Sequence, residues 1–155
     1  MNLETSNMLL RSLPLPLLLC TALLAPAALA DVHQVKMLNR GADGAMVYEP
    51  DHLQIAAGDT VRFLPTQSGH NAASLPGLLP EGAHAFKSKI NQPFEQTFTV
   101  PGLYGIQCIP HLAMGMVMLI QVGKAQDLPA ALPDSLPPRA TARFIAQRAQ
   151  LERSR

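Results

Sequence analysis

What most constrains this chain is the spacing of its turn residues. Between Val32 and Val122, short apolar or alternating runs are separated by Gly, Pro and Asp roughly every eight to twelve residues, a rhythm that predicts short strands. Val32 to Leu38 alternates weakly, and Asn39-Arg40-Gly41 with Asp43-Gly44 reads as the turn before Met46-Val47-Tyr48. His52 to Ile55 follows Glu49-Pro50-Asp51, and Gly58-Asp59 leads into Thr60 to Leu64. Phe94 to Val100 alternates, Pro101-Gly102 turns it, Leu103 to Ile106 runs up to Cys108, and Met116 to Val122 is the last strand. Such a pattern predicts an all-β sandwich. Gln67 to Asn91 fits it poorly and reads as a long loop or a short helix crossing one end.

Beyond Gly123 the composition shifts to Ala, Leu, Arg and Gln. Ala142, Ile145 and Ala149 fall at i, i+3 and i+7 with Ala146 beside them, so Thr141 to Arg153 reads as an amphipathic helix. A helical turn near Ala125 to Leu132 precedes it, with Pro133, Pro137 and Pro138 between the two. Residues 124–155 are therefore expected to form a helical tail packed on a sandwich domain of residues 31–123.

Residues 1–30 carry Arg11, an apolar run through Leu17, Leu18, Leu19 and Leu23, and a close on Ala28-Leu29-Ala30, the layout of a cleavable secretory signal. Pro14, Pro16 and Pro26 interrupt the run, which falls short of the about 20 apolar residues a spanning helix needs. Cleavage after Ala30 removes Cys20 and leaves Cys108 alone in an oxidising compartment. No disulfide within the chain is then possible, and a lone exported thiol is either reactive or bound to something. One domain of this size buries an adequate core without disulfides. The charge balance stays near zero, 12 Lys and Arg against 11 Asp and Glu before cleavage, so nothing asks for nucleic acid.

The thiol sits in Cys108-Ile109-Pro110-His111-Leu112-Ala113-Met114-Gly115-Met116, where a thiol, an imidazole and thioethers share one short loop before an apolar strand. Taken singly, each has an ordinary explanation. The Cys can be a small buried hydrophobe, the His a surface residue, and Met114, Met116 and Met118 a core stripe. Together, three soft donors in a loop shaped by Pro110 and Gly115 point to copper held by thiolate and imidazole with a weak axial thioether, a site that passes single electrons. His70 lies far enough upstream to supply a second imidazole from another strand, and the axial donor is open between Met114, Met116 and Met118.

The runs Asp43 to Pro50, Gly58-Asp59-Thr60, Gly69-His70-Asn71, Pro80 to Ala83, Phe86 to Asn91, Pro101 to Gly105 and Cys108 to Met116 resemble, in order, the pseudoazurins. The resemblance covers essentially all of the chain after Ala30. It implies a cupredoxin-like Greek-key β-sandwich with a short C-terminal helical extension. It also implies a periplasmic, monomeric electron carrier with one type 1 copper held by His70, Cys108, His111 and Met116. Its partners would be a cytochrome-type donor and a reductase such as copper nitrite reductase, with no membrane association after cleavage.

Around that ligand set, Asn71 is placed to hydrogen-bond across the ligand loop, Pro110 offers no N–H to the sulfur, and Asn39, by resemblance, is a further supporting group. An apolar patch of Pro110, Leu112 and Ala113 around His111, with Lys87 and Lys89 for steering, is the expected docking face. Pseudoazurins tend to ring the exposed histidine edge with lysines, whereas here Gln107 precedes the cysteine and few lysines are present. Two other readings exist: a metal-storage protein, since thiolate and imidazole also suit zinc, and a fragment of a copper enzyme. Against the latter, His33, His52 and His84 stand singly with no H-x-H pair for a second copper.

Overall fold

A computed structural model describes residues 29–124 and 132–154. Among these residues, eight strands form two four-stranded sheets: β1 (Val32–Gly41), β2 (Gly44–Glu49), β3 (His52–Ile55), β4 (Thr60–Leu64), β5 (Ala73–Ser74), β6 (Phe94–Thr97), β7 (Gly102–Gln107) and β8 (Val117–Val122). One sheet runs β2-β1-β4-β6 and the other β3-β8-β7-β5. Each contains one parallel pair, β1 with β4 and β3 with β8. This is the two-sheet β-sandwich that the strand rhythm predicts, and among the described residues one α-helix, α1 (Pro138–Arg153), packs on it.

Alternation explains the first sheet. Val35 and Met37 on β1 and Val61 and Phe63 on β4 point inward and are fully buried, while Lys36 and Arg62 between them are exposed. In the second sheet β8 is buried at all six positions. Met118, Ile120 and Val122 enter the core between the sheets, and Val117 and Leu119 enter a second cluster with Leu75, Leu78, Leu103, Ala140, Phe144 and Leu151. A strand covered on both faces reads as a continuous apolar run, which is what Val117 to Val122 shows.

Three expectations are corrected. Asn39, Arg40 and Gly41 belong to β1 rather than to a turn, because Arg40 pairs with Ala45 and Gly41 with Gly44, leaving only Ala42 and Asp43 to reverse the chain. The Phe94 strand stops at Thr97 rather than Val100. The helix forms, but its buried face is Ala140, Phe144, Gln147 and Leu151, while Ala142, Ile145 and Ala146 face solvent. The physical reason is area: Phe144 and Leu151 remove far more apolar surface from water than alanines do.

Between Gln67 and Asn91 the chain is irregular apart from β5 and a bridge from Ala73 to Lys87. Residues 125–131 of the helical turn expected near Ala125 to Leu132, and nearly all of the expected signal segment, lie outside the described residues. No helix among those described is long and apolar enough to cross a membrane.

Candidate metal centre

The loop between β7 and β8 is closed by its own backbone. Cys108 N–H donates to Met116 O at 3.0 Å, Met116 N–H to His111 O at 3.1 Å and His111 N–H to Cys108 O at 3.0 Å. Between them Ile109–Met114 makes a 3-10 helix with Pro110 in its first turn, where the missing N–H costs nothing. Gly115 ends it in the left-handed region, φ 85°, and a Cβ there would also meet Arg139 O at 3.1 Å.

His70 arrives from the irregular segment after β4 and is held by Asn91. The Asn91 side-chain Oδ1 accepts from Gly69 N–H at 2.6 Å, and the Asn91 backbone N–H donates to His70 O at 3.0 Å. The His70 ring is held by Asn39, whose Oδ1 lies 2.9 Å from Nε2. A carboxamide oxygen only accepts, so Nε2 carries the proton and the Nδ1 lone pair points inward. It meets His111 Nδ1 at 3.1 Å and Cys108 Sγ at 3.8 Å, and Cys108 Sγ is 3.5 Å from His111 Nδ1.

These are poor hydrogen bonds and a good coordination triangle. Edges of 3.1, 3.5 and 3.8 Å place a point about 2.0 Å from all three atoms, close to the about 2.0–2.3 Å that imidazole and thiolate take to a small divalent ion. Among the described residues these three are the group that can hold a metal. His70 and Cys108 are fully buried and His111 is half-buried. Of the candidate axial residues, Met116 is fully buried in the cluster that holds Cys108, whereas Met114 is 41 % exposed. Met118, also fully buried, lies within β8.

Burial sets the protonation preference of the two buried donors. Burial pushes the Cys108 thiol up, only partly countered by the backbone N–H groups of Asn71 and His111. Burial, then the charge of His111, pushes His70 down. Because a metal would be held by the Cys108 thiolate rather than the thiol, its binding would release the Cys108 proton.

Asn71 reaches the loop: its Oδ1 accepts Ile109 N–H at 2.9 Å and its Nδ2 donates to Ser88 O at 3.3 Å. Pro110 and Ala113 are exposed near His111. Lys87 and Lys89 line a groove with Ile90, Ile109 and Pro110. Leu112 is half-buried and packs on the second apolar cluster, so it offers less surface than Ile109, which is 43 % exposed.

Several supports escaped the sequence reading. Gln67 Oε1 accepts from Asn39 N–H at 2.5 Å, Tyr48 OH donates to Asn71 O at 2.7 Å, and Arg143 Nη1 donates to Gly115 O at 2.8 Å. Asn91, two residues after Lys89, carried a faint signal, since a left-handed residue (φ 62°) is often Asn. The others join residues far apart in the chain and leave no local trace.

Residues 35–123 match the family of copper binding proteins of the plastocyanin/azurin type. The chain is 48 % identical over 133 residues to pseudoazurin of Paracoccus pantotrophus, covering 84 % of this chain and 92 % of that one. It is 44 % identical over 102 residues to pseudoazurin of Methylorubrum extorquens, covering 66 % and 68 %. A solved pseudoazurin from Sinorhizobium superposes with a TM-score of 0.74 at 39 % identity, covering 79 % of this chain and 97 % of that one. The chain therefore belongs to the copper-binding plastocyanin/azurin family and, within it, to the pseudoazurins. Its cofactor is copper, and it is an electron carrier rather than an enzyme.

Proposed function

We propose that His70, Cys108, His111 and Met116 hold a single type 1 copper, and that the chain works in the periplasm as a monomer. In this reading it carries electrons from a cytochrome-type donor to a reductase such as copper nitrite reductase. The observation that carries the ligand set is the convergence of one sulfur and two imidazole nitrogens within 4.8 Å of one another, with one of the imidazoles reaching the surface. Bound copper supplies a one-electron couple.

The protein's own residues do the rest. Asn39 keeps the His70 lone pair turned inward, and Asn91 fixes the backbone on both sides of that ring. Buried Met116 and Cys108 exclude water from the inner side, and the backbone-closed loop keeps the donors in place through a change of charge. Half-buried His111 gives the electron a short exit, and Pro110, Ala113 and the edge of Leu112 present an apolar rim beside Lys87 and Lys89. A small apolar contact with charge used for steering suits brief docking. Residues 1–30 are read as the export signal, removed after Ala30.

An absorption spectrum after copper addition tests the ligand set. An intense thiolate-to-Cu(II) band is expected in the native protein and lost in Cys108→Ser, with the fold retained. A band surviving that substitution would overturn the assignment. For the partner, the rate of electron transfer to purified copper nitrite reductase is the measurement, and absence of transfer would remove it as acceptor.

A further inference from the structure

At the far end of β1 from Asn39, a second polar site has nothing to do with copper. Asp59 is 4 % exposed, yet its carboxylate is surrounded by donors. Oδ1 accepts the Asp31 N–H at 2.9 Å, and Oδ2 accepts the Ala56 N–H at 3.0 Å and lies 2.9 Å from His33 Nε2. Asp31 O in turn accepts the Thr60 N–H at 2.9 Å, continuing the parallel pairing of Val32 with Thr60. Asp31 is thereby tied through its N–H to Asp59 and through its C=O to Thr60, the first residue of β4. Immediately before it the chain leaves the fold: Leu29 is 89 % exposed and Ala30 is exposed.

The Asp31 nitrogen is a neutral amide in the uncut chain. It is also the atom that carries the new charge if the chain is cut after Ala30, where Ala28 and Ala30 supply the small residues a signal peptidase requires. We propose that removal of the signal builds an ion pair: the freed α-ammonium of Asp31 binds the buried Asp59 carboxylate and locks β1 onto β4 in the processed chain only. The inference rests on the cleavage after Ala30 proposed above and goes beyond it.

The chemistry balances with water as the only co-reactant. A membrane-bound signal peptidase breaks the Ala30–Asp31 amide. The water hydroxyl goes to the Ala30 carbonyl carbon and its proton to the Asp31 nitrogen, which takes one more proton from solvent. A neutral donor becomes a charged one at the same place, and charge-assisted hydrogen bonds are roughly twice as strong as neutral ones. Burial of Asp59 makes the difference larger than at an exposed pair. Processing would thus add stability to the exported form and leave the unprocessed precursor more loosely closed at this end.

The charged and titratable groups facing the pair are His33 on β1, the side chain of Asp31 itself, and Lys124 after β8, which lines the same groove. An α-amino group normally titrates near pH 7.7–8.0, and a carboxylate partner raises that value. The added stability is therefore fully present below the unfolded value and is lost as pH rises through the folded one. Eight residues of strand at about 3.3 Å each separate Asp31 from Asn39, so the copper spectrum should not report on the pair.

The test uses the exported, copper-loaded protein. Intact mass is expected to show a chain starting at Asp31, and a start at any other residue would overturn the proposal together with the cleavage reading. The Asp31-start protein is then compared with forms blocked at the N-terminus by acetylation or by one retained alanine. Blocking is expected to lower the thermal midpoint near pH 6.5 by roughly 3 °C, with the difference fading above about pH 9 and the visible band unchanged. The same comparison in Asp59→Asn should show no difference. Equal midpoints for free and blocked chains, or a loss that persists in Asp59→Asn, would overturn the ion pair while leaving the cleavage reading intact. Should Asp59→Asn fail to fold, the pH dependence of the blocked and free chains decides alone.

Discussion

Arg143, on the C-terminal helix, donates from Nη1 to Gly115 O at 2.8 Å, so the residue before Met116 is held by a side chain 28 positions later in the chain. The same guanidinium donates to Met46 O at 2.5 Å and to Ala45 O at 2.7 Å. One side chain therefore joins the helix, the ligand loop and β2. One turn further along the same helix face, Gln147 Nε2 donates to Val117 O at 2.9 Å.

Removing that clamp should loosen the ligand loop. Arg143→Leu leaves three carbonyls without their charged donor, and partial exposure to water offsets some of the loss, so a destabilisation of about 1–2 kcal/mol is expected. Urea unfolding measures it, and copper transfer to a chelator should be faster in the variant than in the native protein. An unchanged transfer rate would show that the loop is held by its own backbone bonds alone.

Asn39→Ala tests the orientation of His70. Without an acceptor on Nε2 the ring is free to flip or to change tautomer, and loss of such a partner typically costs about 10–100-fold in metal affinity. Competition titration with a Cu(I) chelator gives the number. Affinity equal to that of the native protein would mean that packing alone orients the ring.

Met116→Leu should raise the reduction potential, because it removes a donor that favours Cu(II), while Met114→Leu should leave it nearly unchanged. The difference in burial, 0 % against 41 % exposed, is the reason. Protein-film voltammetry of the two variants distinguishes them, and a shift confined to Met114→Leu would reverse the axial assignment.

Acid stability should depend on Asp59. Its carboxyl is held below the usual value chiefly by the His33 side chain, then by the Asp31 N–H. A depressed folded-state pKa means that its stabilising effect is present above the unfolded value of about 3.9 and is lost as pH falls through the folded one. His33→Ala should move the acid unfolding limb to higher pH. Circular dichroism at a series of pH values from neutral into acid reads this directly, and coincident acid limbs for the two proteins would discount the contact.

Lys87→Glu with Lys89→Glu should slow electron transfer to an acidic reductase at low salt, with the difference shrinking as screening sets in over about 10 Å at 0.1 M. Stopped-flow rates across ionic strength measure it. Native rates at low salt would leave docking to the apolar rim alone.

Much of this protein was legible in its sequence, and the legible part is local. The strands His52–Ile55 and Thr60–Leu64 carry alternation and turn residues within a few positions, so their limits follow from the chain itself. The ligand loop is likewise compact, because Cys108, His111 and Met116 lie within nine residues and Gly115 marks its end. Alternation also carried the inward face of β1, but periodicity misled on the helix, where the alanine stripe lies outward and Phe144 inward. Spacing weighs all apolar residues alike, whereas burial rewards area.

What only the tertiary structure decided are the contacts made across long separations. The meeting of His70 with Cys108 depends on two sheets placing one end of β4 beside one end of β7, and the identity of His70 alone cannot convey it. The neighbours of Asn39 suggest a turn, yet pairing of Leu38, Arg40 and Gly41 with β2 keeps it in a strand, and its oxygen lies against His70. The choice of Met116 over Met114 as the buried thioether comes from loop geometry, since both lie in the same few residues. Arg143, Gln67 and Tyr48 are ordinary surface or core types in sequence. Their roles arise because hydrogen bonds to backbone carbonyls and N–H groups are made by proximity in space, and a backbone group has no residue type for a sequence to display.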